Sequence, residues 1–123
     1  TINIDHHAGN KNEANYTFVD ENISSTGEII YNLASLYSYL LDKNICTLLY
    51  SAIVSDTNSF YKRVTPNTLI AASKLLEYNI DSTYIIKHTI DFDNYLKEIL
   101  LDLEKKRIRR LFRNVEEYEN GRN

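Results

Sequence analysis

Asp5-His6-His7 is the stretch of this chain best equipped for chemistry. Two adjacent imidazoles stand behind a carboxylate, at the end of the alternating run Ile2-Asn3-Ile4, and the turn-prone pair Gly9-Asn10 follows. Imidazole and carboxylate donors together suit divalent cations, so the group reads as half of a metal site. Side chains that follow one another along a strand leave on opposite sides. That spacing predicts that His6 and His7 do not chelate one ion together, and that one imidazole serves a metal while the other meets a substrate. Asp5 can then orient a metal-bound histidine through its second ring nitrogen. The plainer alternative is a polar strand end with solvated histidines.

Asp56 is the second candidate. It closes the apolar run Ala52-Ile53-Val54-Ser55, and the C-terminal end of a helix is unfavourable for an anion. A cation beside it would remove the conflict; a turn-forming aspartate is the alternative. Ser25 and Thr26, at the start of a helix, can bind a substrate phosphate through backbone N–H groups, although capping alone accounts for them. Tyr61-Lys62-Arg63 reads as a solvated loop before it reads as phosphate-binding charge. His88 has no partner in the sequence.

These residues need elements to place them. Residues 1–4 and 16–19 read as short strands, Ile2 and Ile4 alternating with polar neighbours and Tyr16-Thr17-Phe18-Val19 being aromatic and β-branched. Residues 8–15, including Lys11 and Asn12, carry turn chemistry. Ser25 with Glu28 forms a capping-box pattern before Ile29, Ile30, Leu33, Leu36, Tyr37, Leu40 and Leu41, which predicts a helix of about four turns ended by Asp42-Lys43-Asn44. The same periodicity predicts a helix over 45–55. Thr65-Pro66 opens another, with Asn79 as its stop, and Asp81 caps a short one through Ile86. A long final helix is expected from about 93 to 113, basic between Lys105 and Arg113, with a frayed polar end over 116–123. Acidic residues are interleaved with that basic run or flank it, which favours a solvated face over nucleic-acid binding. Strands feeding helices make the class α/β.

The bulk properties narrow the setting. At 123 residues, 43% hydrophobic and 25% charged, the chain has the composition of a globular domain, and a net charge of −3 gives no general attraction to nucleic acid or anionic membrane. No apolar run reaches the ~18 residues of a membrane span. One cysteine, Cys46, cannot form an internal disulfide, which fits a reducing, cytoplasmic setting. The chain opens on Thr1 directly in strand-like residues, so further residues are expected ahead of it.

Asp5-His6-His7 behind an apolar strand, Ser24-Ser25-Thr26-Gly27-Glu28 opening a helix and Ser55-Asp56-Thr57 closing one together resemble the DHH phosphoesterases. The resemblance is greatest to the oligoribonuclease and phosphoadenosine-phosphate phosphatase branch, and more distant to RecJ-type exonucleases. It covers residues 1–90, and it implies the C-terminal part of a DHH phosphoesterase domain, with short parallel-sheet strands packed with helices. Residues 91–123 then correspond to a linker helix leading to a substrate-binding domain. The resemblance implies two manganese ions, with magnesium as a substitute, and hydrolysis of phosphate esters in short oligonucleotides or nucleotides. His6 and Asp56 match ligands of one metal, His7 the histidine on the scissile phosphate and Asp5 the supporting carboxylate. The family's other metal ligands lie upstream of this motif, so a chain supplying only His6 and Asp56 is expected to be inactive alone. A non-catalytic module keeping the fold, and a homodimer through the long helix, stay open as alternatives.

Overall fold

The computed structural model describes residues 1–10 and 13–121. Lys11 and Asn12 of the expected turn, and Arg122 and Asn123 of the expected polar end, lie outside the described residues. The chain divides into two units, residues 1–89 and 90–123.

The first unit is a small α/β arrangement. Strands β1 (Ile2–Asp5) and β2 (Tyr16–Val19) pair in parallel, Ile2 opposite Tyr16 and Asp5 opposite Val19. The pairing runs on past both strands, because Tyr16 N donates to Thr1 O and Asp20 N to Asp5 O. Parallel strands need a crossover between them, and here the loop that makes it contains the histidines.

Helix α1 (Thr26–Ser35) starts at the expected cap, the Ser25 hydroxyl accepting from Glu28 N at 3.0 Å. The reciprocal half of the capping box is displaced by one residue, since the Glu28 carboxylate turns to Ser24 N and to the Ser24 hydroxyl. Helix α1 also stops earlier than its apolar periodicity predicts. Tyr37 leaves helical geometry and Ser38–Leu40 forms a 3-10 turn. Asp42, expected to end this helix, is extended and caps α2 (Lys43–Asp56) by accepting from Ile45 N at 2.8 Å. Leu36, Tyr37, Tyr39 and Leu40, between the end of α1 and that cap, are exposed.

Helix α3 (Pro66–Leu76) has Pro66 in its first turn and a full capping box between Thr65 and Thr68. Asn79 ends this segment in the left-handed region, with φ of 55°. The two helices expected beyond it are one, α4 (Ser82–Gly121, 40 residues). Asp81 caps it through Tyr84 N. Asp91 and Asp93 do not restart a helix, because no glycine or proline interrupts residues 82–120 and an exposed aspartate costs a helix interior well under 1 kcal/mol. The end expected to fray is helical through Gly121.

The core of the first unit gathers Cys46, Leu49, Tyr50, Ile53 and Val54 of α2, Ala71, Ala72 and Leu75 of α3, and Ile80 and Ile85. Helix α1 packs on α2 at Gly27, where a Cβ would lie 2.7 Å from the Ala52 Cβ and 3.1 Å from the Leu49 carbonyl oxygen. Glycine is what permits that approach.

Candidate metal and phosphate site

The strand β1 delivers Asp5, and the chain then bends. Asp5 Oδ1 accepts from His6 N at 2.7 Å, from His7 N at 3.2 Å and from His7 Nδ1 at 2.7 Å. Its other oxygen accepts from the Asn10 amide. This bend overturns the expected strand alternation: the two imidazole rings are neighbours, centroids 4.3 Å apart and tilted by 50°. Their environments still differ sharply, the side chain of His6 being 3% exposed and that of His7 68%.

His6 Nε2 lies 3.3 Å from Asp56 Oδ2. The first comes from the end of β1 and the second from the last residue of α2, 50 positions further on. Both donors can reach one ion at ordinary N and O bond lengths of about 2.0–2.2 Å. His6 Nδ1 is buried with no hydrogen-bond partner among the described residues. With an ion on Nε2, Nδ1 would carry the ring proton, and an unpartnered buried N–H is costly, so the fit to an ion rests on the distance between the two donor atoms. His6 and Asp56 therefore fit a divalent cation.

The donor atoms of Asp5, His6 and His7 also lie within 4.8 Å of one another. That trio is a poorer ion site than the His6–Asp56 pair, because both Asp5 oxygens already accept hydrogen bonds from His7 and Asn10. Those bonds hold the Asp5 carboxyl well below the usual carboxylate range, the His7 ring contributing most and Asn10 next. An ionised carboxylate only accepts, so His7 Nδ1 carries the proton. The Nε2 side of this exposed ring is left for a ligand. Asp5 thus orients His7 rather than the buried histidine that sequence reasoning would have paired it with.

Asp56 is held by an unusual turn. Asn58, Ser59 and Phe60 have φ of 50°, 57° and 64°, three consecutive side-chain-bearing residues in the left-handed region, each costing about 1–2 kcal/mol. Hydrogen bonds offset the cost. The buried Thr57 hydroxyl donates to Ile53 O at 2.7 Å and accepts from Phe60 N at 3.0 Å, and Ser59 N donates to Val54 O at 2.7 Å. Only Asn58 carries a left-handed signal in the sequence; Ser59 and Phe60 carry none.

Ser25 is fully buried and its hydroxyl caps α1, so it belongs to a second cluster. There Glu28, 1% exposed, accepts on Oε2 from the Ser24 hydroxyl and from Thr68 Oγ1 at 2.9 Å, joining the starts of α1 and α3. Nothing in the sequence beyond the capping pattern pointed to that buried carboxylate. Lys62 and Arg63 are exposed, Arg63 reaching Glu21 O at 3.5 Å. His88 stacks on Tyr84 at 3.8 Å. Among the described residues no helix is long and apolar enough to cross a membrane.

No protein-family model matches the chain. Curated proteins do. It is 35% identical over 92 residues to the probable bifunctional oligoribonuclease and PAP phosphatase NrnA of Streptococcus mutans, across 74% of this chain and 30% of that protein. It is 31% identical over 124 residues to the bifunctional oligoribonuclease and PAP phosphatase NrnA of Bacillus subtilis, across 98% of this chain and 37% of that protein. The protein of the same description from Thermus thermophilus is 31% identical over 80 residues, 64% of this chain and 25% of its own length. The chain thus spans less than two fifths of each of these relatives. These relatives, with which the α/β fold is consistent, make the chain a member of the DHH phosphoesterase family.

Proposed function

We propose that this chain contributes a metal-binding and phosphate-contacting section to a hydrolase of phosphate esters in short oligonucleotides or nucleotides. The observation that carries the reading is the convergence of His6 Nε2 and Asp56 Oδ2 at 3.3 Å beside the His7 ring. The relatives' description as oligoribonucleases and PAP phosphatases supplies the substrate class.

His6 and Asp56 would hold one divalent ion, and manganese is the ion that the resemblance to the DHH phosphoesterases implies, with magnesium as a substitute. When bound, such an ion lowers the pKa of water and neutralises phosphate charge. The residues of the chain do the remainder. Asp5 accepts from His7 Nδ1 and leaves the Nε2 side of the ring exposed, where Nε2 donates to a phosphate oxygen only when it too carries a proton, and burial of His6 keeps one donor of the ion fixed and away from solvent. Two donor atoms are too few for tight binding, so the chain alone is expected not to turn over substrate.

The test uses the longest natural polypeptide that contains this sequence, assayed on short RNA and on 3′-phosphoadenosine phosphate with manganese. His6→Ala and Asp56→Ala each remove a direct donor, and the loss of manganese affinity should exceed the about 10–100-fold typical of outer-shell changes. Unchanged metal content and unchanged hydrolysis in both variants refute the reading and favour a non-catalytic module.

A further inference from the structure

We propose that Asn10 is a positioning residue for the His7 imidazole, brought into place by the turn His7–Asn10; this rests on the reading of His7 as the phosphate-facing group. The turn is closed by Asn10 N donating to His7 O at 3.4 Å, and Gly9 at its third position has φ of +82°. Left-handed φ at that position is the mark of a turn that needs glycine. A Cβ on Gly9 would meet nothing within 4 Å, so the requirement comes from the backbone alone.

The turn carries the Asn10 side chain back over the polar face of β1. There its amide Nδ2 donates to Asp5 Oδ2 and also lies 3.4 Å from Asn3 Oδ1. The other Asp5 oxygen is the one that holds the His7 ring and the His6 and His7 backbone N–H groups. A carboxylate fastened at one oxygen can still rotate about its Cβ–Cγ bond; fastened at both, it keeps a single orientation. Asn3, Asn10, Asp5 and His7 therefore form a relay that ends in the imidazole, and Asn10 acts on His7 through Asp5.

The readout is the tautomer of His7, measured by long-range proton–nitrogen correlation on the uniformly labelled chain at neutral pH. The parent should show one tautomer, protonated at Nδ1. Asn10→Ala removes the fastening and Gly9→Ala opens the turn by a separate route. Both should lower the tautomer ratio by up to about tenfold, the worth of one net hydrogen bond. Asn10→Asp, of the same size but unable to donate, should do at least as much, because its carboxylate repels Asp5. A purely structural role would instead lower the urea midpoint and leave the His7 signals of the folded state alone. Unchanged His7 signals in all three variants overturn the proposal. The readout needs no turnover, so failure of the phosphoesterase reading is seen separately, as absence of hydrolysis by the longest natural polypeptide that contains this sequence.

Discussion

At the scale of single residues, the buried groups Glu28 and Cys46 make sharp predictions. Glu28 gathers the Ser24 hydroxyl, Ser24 N and Thr68 Oγ1 on one carboxylate oxygen. Glu28→Gln keeps the shape, but its amide can present acceptor oxygen to those donors in only one orientation and gives up the charge-assisted bonds. A loss of about 1–3 kcal/mol is expected, read as a lower urea midpoint; an unchanged midpoint shows that the cluster contributes nothing net. Cys46 is fully buried, and burial pushes its thiol above its ordinary pKa. The sign is clear: a raised pKa leaves less thiolate at neutral pH than an exposed cysteine has, and the thiolate is the reactive form. An alkylating reagent should therefore label Cys46 at the rate of unfolding. Rapid stoichiometric labelling of the folded chain contradicts the buried placement.

At the scale of elements, the contact of α1 with α2 is set by Gly27, whose added Cβ would lie 2.7 Å from the Ala52 Cβ. Gly27→Ala gains helix propensity of about 1 kcal/mol and meets an overpacking cost of about 1–3 kcal/mol. Net destabilisation is expected. Ala52→Gly in the same chain removes the obstructing methyl, so the double variant should be more stable than the sum of the two single changes; strict additivity means the helices can shift apart freely. Element identity was legible where local chemistry was strong. Thr65-Pro66 announced α3, and Ile2-Asn3-Ile4 and Tyr16-Val19 announced the strands, while their parallel pairing was implied by the family resemblance and not by the residues themselves. Boundaries failed where one residue serves two roles. Asp42 reads equally as a stop for the helix before it and as a cap for the helix after it, and the structure uses it as the cap. The candidate site was named from its residue types, but the bend at Asp5 that sets the His6 and His7 rings side by side depends on three hydrogen bonds to one oxygen. Periodicity carries no trace of such a bend.

At the scale of the whole molecule, the second unit poses a different physical question, because residues 94–121 are all exposed. Leu101 and Phe112 stand apart, but two sets of the apolar side chains are regularly spaced. Phe92, Leu96, Ile99 and Leu103 follow a three-and-four spacing, and so do Ile108, Leu111, Val115 and Tyr118. Between the two sets the step from Leu103 to Ile108 is five residues, and at 3.6 residues per turn the second set is centred about 110° round the helix from the first. A straight helix thus shows its apolar stripe on one side over 92–103 and on another over 108–118, so no single flat partner surface covers both. Backbone hydrogen bonds of a fully exposed helix open locally at little cost, whereas those around Ile53, Val54 and Leu75, wholly buried, open only with the whole unit. Amide exchange should therefore be orders of magnitude faster over 94–121 than over 49–54 and 71–75. If a second copy of the chain does cover one stripe, raising the concentration should slow exchange in one half of this segment and leave the other half fast. Protection that is uniformly high over 94–121 at every concentration contradicts the exposed helix, and protection that rises equally in both halves contradicts the rotated stripes.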